Sequence, residues 1–251
     1  MPDSSESRPP VVLAIAGSDS GGGAGIQADL KACAALGVHC ATAITALTAQ
    51  NTLGVRRVMT VAPEFVADEI DAVVTDMSVG AVKTGMLVNA DIVLIVSSKI
   101  QEHRLEPLVV DPVMASTSGS SLLTKDALAA LCEHLLPLTR VVTPNLQEAA
   151  ALAGREVATL EAMREAARAI LAMGPTYVVV TGGHLADKQN VVDLLFDGAG
   201  FEELRGPRVD TPHTHGTGCT YSAAIAAWLA RGQTLARAVS LAKAFTWRAI
   251  A

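Results

Sequence analysis

Aromatic side chains are scarce in this sequence, at 3% of 251 residues, whereas half of the residues are hydrophobic. The core must therefore consist mainly of Ala, Val, Leu and Ile, a composition that suits helices packed on a parallel sheet. The few single Phe, Tyr and Trp residues predict no stacking platform for nucleic-acid bases. Basic residues are not in excess either, since the formal net charge is -6 and the pI is near 5.5. These deficits argue against a general nucleic-acid binder.

Cysteines are few and widely spaced, at positions 33, 40, 132 and 219. They form no Cys-x-x-Cys pair and no zinc-finger spacing with His, so nothing predicts a disulfide framework. The stretch 1–10 is polar and unlike a signal peptide, and no hydrophobic run reaches the length of a membrane span. We therefore expect a cytoplasmic protein with no membrane partner. A flexible N-terminal tail over residues 1–10 and a single domain over residues 11–251 suit the length of the chain.

Apolar strand-like runs alternate with segments of helical spacing, a pattern typical of an α/β fold. The last two predicted strands flank a Gly-containing turn and predict a hairpin. The predicted strands are 11–16, 38–47, 55–61, 81–84, 107–110, 140–143, 177–180, 191–196 and 201–209. The predicted helices are 26–36, 63–74, 90–103, 125–136, 159–173, 221–230 and 235–251.

A Gly-Thr-Gly-Cys turn at 216–219 precedes the Ala-rich helix Tyr221–Ala230. The first turn of a helix has N–H groups without intrahelical partners and carries the positive end of the helix dipole, so this turn predicts an anion site. Cys219 lies in that positive end, and we expect its pKa to fall below the usual value of about 8.5, so that it can act as a base or nucleophile. The alternative is a tight turn into a buried helix, with Cys219 as a small core residue.

Polar residues near predicted strand ends are further candidates for ligand contacts. Gln50 offers a donor and an acceptor together, which suits a heterocycle edge with an amino group beside a ring nitrogen, although a surface turn amide is the alternative. Asp111 follows a buried strand at a position where open α/β sheets bind ligands, and it is either a magnesium ligand or part of an Asp-Pro turn. Asn145 and Glu148 share one helix face, where they could hold hydrated Mg²⁺ or form a helix cap.

Glycines at 17–25 follow the first strand and would let a ligand approach the backbone. They do not match a dinucleotide fingerprint or a P-loop, and a permissive loop at the sheet edge explains them equally.

Seven motifs together, in this order along residues 11–251, resemble the hydroxymethylpyrimidine/phosphomethylpyrimidine kinases of thiamine biosynthesis, a family of the ribokinase superfamily. The first and last of these motifs are the most specific. The motifs are Ala-Gly-Ser-Asp-Ser-Gly-Gly-Gly-Ala-Gly-Ile-Gln-Ala-Asp-Leu-Lys at 16–31, Ala-Leu-Thr-Ala-Gln-Asn-Thr at 46–52, Lys-Thr-Gly-Met at 83–86, Asp-Pro-Val-Met at 111–114, Thr-Pro-Asn-Leu-Gln-Glu-Ala at 143–149, Gly-Gly-His at 182–184 and His-Gly-Thr-Gly-Cys-Thr at 215–220.

The resemblance implies a ribokinase-like three-layer α/β sandwich, with a central, mostly parallel sheet, helices on both faces and a small β addition. It implies an enzyme that uses ATP and Mg²⁺ to phosphorylate 4-amino-5-hydroxymethyl-2-methylpyrimidine, and then the monophosphate to the diphosphate. It also implies a homodimer. Chains of the family usually continue past the last helix into a short Gly-rich tail containing Pro and His, whereas this sequence ends at Ala251.

The resemblance also implies a role for individual residues. The expected catalytic anion hole comprises Gly216, Thr217, Gly218 and Cys219. The expected contacts to the pyrimidine are Gly17, Ala24, Asp29, Gln50, Met86 and Val113. The expected nucleotide contacts are Lys83, Thr181, Gly182 and Gly183, and the expected metal side is formed by Asp111, Asn145 and Glu148.

Cys219 stands where many sugar kinases of the superfamily carry Asp. A thiolate there could accept the proton of the attacking hydroxymethyl group in the first step, whereas the acceptor in the second step is already an anionic phosphate. Three alternatives stay open: a pyridoxal or pyridoxine kinase with a similar Gly-Thr-Gly-Cys motif, a non-catalytic sensor of the pyrimidine, and a Cys hydrolase that uses His213 or His215.

Overall fold

The computed structural model describes residues 8–115, 122–183, 185 and 189–251. Most of the predicted tail, residues 1–7, and His184 of the Gly-Gly-His motif lie outside these ranges. Pro10, which we expected in the tail, accepts a backbone hydrogen bond from the N–H of His39 at 2.9 Å, so the chain is already attached to the sheet there. Among the described residues, no helix is both long and apolar enough to span a membrane.

Strands and helices alternate along most of the chain. The strands are β1 (Val11–Asp19), β2 (His39–Asn51), β3 (Gly54–Thr60), β4 (Val79–Thr84), β5 (Leu108–Val110), β6 (Val141–Val142), β7 (Tyr177–Val180), β8 (Asn190–Phe196) and β9 (Phe201–Pro207). The helices are α1 (Gly25–Ala35), α2 (Pro63–Asp76), α3 (Ala90–Glu102), α4 (Lys125–Ala130), α5 (Leu146–Ala153), α6 (Leu160–Leu171), α7 (Thr217–Ala230) and α8 (Leu235–Ile250).

The strands of the described residues form one nine-stranded sheet in the order β3-β2-β1-β4-β5-β6-β7-β8-β9. Strands β2, β1, β4, β5, β6 and β7 are parallel, whereas β3, β8 and β9 run antiparallel to their neighbours. The predicted, mostly parallel sheet is therefore confirmed, and the β8–β9 hairpin is the predicted small β addition.

Helices cover both faces of this sheet, as predicted. One apolar cluster joins the sheet to helices α2 to α6 and contains residues such as Ile70, Val96 and Ile170. The other joins the opposite face to α1, α7 and α8, through residues such as Ile225 and Val239. Because both faces are buried, the central strands are almost continuously apolar.

Two element boundaries differ from the prediction in ways that matter. Strand β2 continues to Asn51 because it pairs antiparallel with β3, so Gln50 lies in a strand opposite Val55, and the alternative of a turn amide is wrong. The helix predicted over 125–136 is α-helical only to Ala130, after which one π turn and one 3₁₀ turn lead to Leu138. Pro137 has no N–H with which to continue the helical hydrogen bonds.

Candidate active site

A cleft of about 1320 Å³ lies at the carboxyl ends of the parallel strands and extends to β8, β9 and α8. Fifteen of the seventeen predicted site residues line this cleft. They are Gly17, Ala24, Gln50, Lys83, Met86, Asp111, Val113, Asn145, Glu148, Thr181, Gly183, Gly216, Thr217, Gly218 and Cys219. The two that do not are Asp29 and Gly182.

Residues 216–219, which we call the anion turn, lie against the glycine turn that follows β1. Gly216 precedes α7 with φ +81°, and a Cβ atom placed on it would lie 1.8 Å from the carbonyl oxygen of Gly23. A Cβ atom on Gly23 would in turn lie 2.7 Å from Cδ2 of His215. Only glycine permits this approach with this backbone conformation. The first and last motifs of the sequence therefore form one wall of the cleft.

Cys219 is partly buried in the first turn of α7 and faces the cleft, so the alternative of a core cysteine is wrong. Burial raises the pKa of the Cys219 thiol to about 12, despite an opposing effect of the Lys83 ammonium and with further increases from Asp111 and Asp29. The predicted lowering of this pKa is thus wrong. The thiol is removed from water and lies near two carboxylates, and both effects raise its pKa. Together they outweigh the Lys83 cation and a hydrogen bond from the N–H of Gly25, which lower it.

Lys83, which lines the cleft, forms a fully buried ion pair with Asp29. Lys83 Nζ lies 2.9 Å from both carboxylate oxygens of Asp29, and neither side chain is exposed to solvent. Burial alone would lower the pKa of Lys83, but the Asp29 carboxylate raises it, so the lysine is a permanent cation. Asp29 was predicted to contact substrate, but its side chain is occupied with Lys83 and does not reach the cleft.

The structure separates Lys83 along the sheet from the other predicted nucleotide contacts. Lys83 lies on β4, and strands β5 and β6 separate it from β7, which precedes Thr181. Its ammonium is instead close enough to Cys219 and Asp111 for their charges to raise its pKa. Lys83 therefore supplies a positive charge beneath the centre of the cleft.

Two buried carboxylates, Asp111 and Glu148, face each other near the anion turn. Asp111 Oδ2 accepts a hydrogen bond from Ser222 Oγ at 3.0 Å, and burial raises the pKa of Asp111. Burial, with the negative charge of Asp111, raises the pKa of Glu148 to about 8. Burial therefore disfavours the charged form of both carboxyl groups, whereas the Lys83 ammonium opposes this effect at Asp111.

Asn145 forms the predicted alternative, a helix cap. Asn145 Oδ1 accepts from the N–H groups of Gln147 and Glu148 at 2.9 and 3.0 Å, and Glu148 Oε2 accepts from the N–H of Asn145 at 2.9 Å. Two donors occupy both lone pairs of the Asn145 amide oxygen, so this oxygen has none left for the predicted hydrated Mg²⁺. Glu148 remains a candidate, because its carboxylate both completes the capping box and lines the cleft.

The carboxylate pair suits Mg²⁺, which is commonly held by one or two protein carboxylates together with water and substrate phosphates. Among the described residues there is no group of three or more His, Cys, Asp and Glu side chains that could hold a metal without such help.

Thr181 and Gly183 form a different part of the cleft, beyond the end of β7. The N–H of Thr181 donates to the carbonyl of Pro144 at 2.9 Å, and the carbonyl of Gly183 accepts from Arg208 Nη1 at 2.8 Å. Gly182 lies between them but outside the cleft, since its N–H donates to Asp193 and a Cβ atom would lie 1.9 Å from the carbonyl oxygen of Val192. The prediction that Gly182 contacts a ligand is corrected accordingly: it permits close packing on β8.

Gly17, Ala24, Gln50, Met86 and Val113 form what we call the β1 half of the cleft, and Thr181, Gly183 and Arg208 form the β7 half. The methyl group of Met86 lies against Gly17, where a Cβ atom would be only 2.3 Å from Met86 Cε. The anion turn, with Lys83 and Asp111 near its Cys219 thiol, completes the lining of the cleft.

Asp19 and His215 are among the cleft residues to which the sequence analysis assigned no contact with the pyrimidine. Asp19 accepts hydrogen bonds from the N–H groups of Gly21, Gly23 and Ala24 at 2.8 to 3.0 Å. His215 Nε2 lies 3.1 Å from Asp19 Oδ2 and 3.1 Å from Gln50 Nε2. An Asp directly before a glycine-rich turn is a known signal for such side-chain to backbone bonds, but nothing local indicates the contact with His215.

Comparisons with known proteins agree with this geometry. A family model described as phosphomethylpyrimidine kinase matches residues 19–251. The chain is 52% identical over 241 residues to the hydroxymethylpyrimidine/phosphomethylpyrimidine kinase of Rhizobium meliloti, covering 96% of this chain and 90% of that enzyme. It is 49% identical over 242 residues to a thiamine biosynthetic bifunctional enzyme of Arabidopsis thaliana, covering 96% of this chain but spanning only 46% of the length of that relative.

A solved structure shares the fold. The ADP complex of Bacillus subtilis pyridoxal kinase superimposes with a TM-score of 0.87 and 40% identity, over 95% of this chain and 90% of that one. The ribokinase-like fold and the kinase class predicted from the motifs are confirmed by these matches. The chain therefore belongs to the phosphomethylpyrimidine kinase family.

Proposed function

We propose that this chain uses ATP and Mg²⁺ to phosphorylate 4-amino-5-hydroxymethyl-2-methylpyrimidine and then converts the monophosphate to the diphosphate. The observation that carries this proposal is that one cleft holds the anion turn together with the β1 half and the β7 half. A phosphoryl group at the start of α7 would thus be within reach of ligands in both halves. The same cleft then serves both steps, because the product of the first step is the acceptor of the second.

In this proposal the β1 half holds the pyrimidine. The Gln50 amide pairs with the amino group and the adjacent ring nitrogen, since it carries a donor and an acceptor side by side. Met86 and Val113 provide apolar contacts to the ring, and Gly17, against which the Met86 methyl group packs, lines the same part of the cleft. Ala24 lines the same wall.

The β7 half holds the nucleotide, with Thr181 and Gly183 at its edge. Asp111 and Glu148 would hold Mg²⁺ near the phosphates. When bound, the ion neutralises charge on the transferring phosphoryl group. The N–H groups at the start of α7 and the Lys83 ammonium stabilise the remaining negative charge, which is the main requirement of phosphoryl transfer.

Cys219 is proposed to accept the proton of the hydroxymethyl group in the first step. Because its pKa is about 12 in the ligand-free site, only a small fraction is thiolate at neutral pH, and the step speeds up as that fraction rises. The second step needs no such base, because the acceptor oxygen belongs to an ionised phosphate. Catalysis at neutral pH then depends mostly on the anion turn and the cations.

A coupled ADP-release assay with Mg-ATP tests the proposal, with products resolved by mass. The pyrimidine, its monophosphate and pyridoxal are compared as acceptors. ADP together with both phosphorylated pyrimidines is the expected result. Tight binding of the pyrimidine without ADP would instead identify a sensor.

Pyridoxal kinase activity is the second candidate function. It is favoured by the structural likeness to the pyridoxal kinase of Bacillus subtilis, which extends over nearly the whole chain. In the assay above, turnover of pyridoxal alone would replace the pyrimidine assignment with this one.

We also propose a cytoplasmic homodimer, with contact through the back of the β2–β3 hairpin. Leu47 and Met59 are paired across this hairpin and are 41% and 57% exposed, on the face opposite Thr48 and Gln50. Such an apolar face on an edge strand is typical of an interface. Four thiols that form no disulfide suit a reducing compartment.

Light scattering on the Leu47→Glu and Met59→Glu variants tests the dimer. Both substitutions are expected to give monomers. Leu94→Glu, on α3, replaces a similarly exposed leucine away from the hairpin and should leave the dimer intact. A wild-type monomer at micromolar concentration would exclude the interface.

A further inference from the structure

Asp19, His215, Gln50 and Thr48 form a chain of polar contacts along the wall of the β1 half. Asp19 is 4% exposed, and its Oδ2 atom lies 3.1 Å from His215 Nε2. That nitrogen is also 3.1 Å from the amide nitrogen of Gln50, while the amide oxygen of Gln50 is 3.3 Å from Thr48 Oγ1. A half-turn about the last bond of Gln50 exchanges its amide nitrogen and oxygen, so the hydrogens of the neighbours decide which orientation is stable.

The hydrogen positions near His215 favour the orientation in which the amide oxygen of Gln50 faces this histidine. Although burial would raise the pKa of Asp19, the contact with His215 and three backbone N–H donors hold it below its usual value, so the carboxylate is ionised. A carboxylate oxygen that is 3.1 Å from Nε2 requires a hydrogen on that nitrogen. Nε2 is then a donor and cannot accept from the amide nitrogen of Gln50. Its N–H can, however, be shared between Asp19 and an amide oxygen.

The hydrogens at the threonine end lead to the same conclusion independently. Thr48 Oγ1 donates its single hydrogen to the carbonyl of Ser18 at 3.0 Å. It can therefore offer only lone pairs to Gln50, and the amide atom that faces it must be the nitrogen. Both contacts therefore require a half-turn of the Gln50 amide, which places its oxygen near His215 and its nitrogen near Thr48.

We propose that Asp19, acting through His215, locks the Gln50 amide with its oxygen toward His215 and its nitrogen toward Thr48. In this orientation one lone pair of the oxygen and one hydrogen of the nitrogen remain for a ligand, in a fixed order. A ring edge fits when its amino group is on the His215 side and its ring nitrogen acceptor is on the Thr48 side. Asp19 and His215 are then positioning residues that determine specificity, an inference that rests on the proposed pyrimidine substrate.

A Gln50 amide that is fixed in this orientation should make the site discriminate against a specific analogue of the substrate. In the 4-oxo analogue of the substrate, the exocyclic group is an acceptor and the adjacent ring nitrogen carries hydrogen, so donor and acceptor are exchanged. A freely rotating amide would follow this exchange by turning over. A locked amide cannot, and it leaves two mismatched polar pairs in a partly buried site, which is the kind of mismatch that gives enzymes high selectivity.

The test compares kcat/KM for the amino substrate and the 4-oxo analogue in the wild type and in His215→Phe. We expect the preference for the amino substrate to fall at least tenfold in this variant, with KM for that substrate affected more than kcat. His215→Gln keeps an N–H donor for Asp19 and Gln50 and should retain most of the preference. His213→Phe is the matched control, because His213 is exposed and does not line the cleft.

An unchanged preference in His215→Phe, with an active wild type, would overturn the inference while leaving the proposed function intact. Equal loss of preference in His213→Phe would overturn it as well, because the effect would then belong to the loop and not to the lock. A wild type that releases no ADP with the amino substrate would instead contradict the proposed function itself.

Discussion

Cys219 and Gly216, only three positions apart, depend on different physical effects. The thiol of Cys219 is controlled by its electrostatic surroundings, since burial and the carboxylates of Asp111 and Asp29 raise its pKa to about 12 and Lys83 opposes them. The requirement for glycine at position 216 is steric, because the carbonyl of Gly23 occupies the place where a side chain would lie. Single substitutions can therefore separate proton transfer from anion binding.

The first phosphorylation should depend on pH through Cys219. Below a pKa of about 12, the thiolate fraction of a thiol rises about tenfold per pH unit. We expect the ratio of the first to the second rate constant to rise accordingly between pH 6 and pH 9, because only the first step uses the base. Single-turnover rates with the pyrimidine and its monophosphate as separate acceptors measure this ratio.

Replacing the thiol gives the control for this dependence. In Cys219→Ala the first step should be impaired more than the second, and the ratio should become independent of pH. Equal losses in both steps, or a ratio that still rises with pH, would count against Cys219 as the proton acceptor.

Gly216→Ala should remove most of the activity in both steps. The added methyl group would clash with the carbonyl of Gly23 and displace the anion turn, and loss of a comparable charge-stabilising contact typically costs about 10²- to 10³-fold in rate. The matched control is Gly232→Ala, where φ is +78° but no atom lies within 4 Å of the added Cβ. Steady-state kinetics on both variants separate the clash from backbone strain, and similar losses in both would refute the steric explanation.

At the scale of elements, the buried pair between Asp29 on α1 and Lys83 on β4 couples a helix to the centre of the sheet. Asp29→Leu would leave the buried lysine charge without its hydrogen-bonded carboxylate, and breaking such a buried pair typically costs about 3–5 kcal/mol of the free energy of unfolding. The double variant Asp29→Leu/Lys83→Met removes both charges and should be destabilised less than the single variant. Urea unfolding of the two variants measures the difference.

A surface pair serves as the control for this prediction. Lys99→Met removes one of the two partners of Asp71, whose side chain is 36% exposed and also contacts His103, and such pairs contribute about 1 kcal/mol or less. If Asp29→Leu cost no more than Lys99→Met, the buried pair would not be the link between α1 and the sheet that its geometry indicates.

Local patterns predicted most elements, because apolar periodicity and glycine turns identify strands and helices one at a time. They failed where distant segments decide the outcome. The extension of β2 to Asn51 depends on pairing with β3, and Asp29 faces Lys83, which is 54 positions away. Similarly, the pKa of Cys219 is raised mainly by burial in the folded chain and is modified by Lys83, Asp111 and Asp29, whereas the helix start that motivated the prediction is local.

At the scale of the whole molecule, one cleft is proposed to perform two successive phosphorylations. The resemblance of the motifs to a known family predicted fifteen residues of its lining, and the carboxyl ends of the parallel strands bring many of them to one edge of the sheet. The motifs could not predict how the residues interact within the cleft. The contact between His215 and Asp19 joins positions 196 apart and exists only in the folded chain.

The most direct test of this account is a competition measurement at saturating Mg-ATP. The monophosphate is added as an inhibitor of the first phosphorylation, and its inhibition constant is compared with its KM as the acceptor of the second. A single cleft predicts purely competitive inhibition and an inhibition constant that matches the KM, provided that substrate release is faster than chemistry. Noncompetitive inhibition, or simultaneous binding of both pyrimidines, would contradict the account.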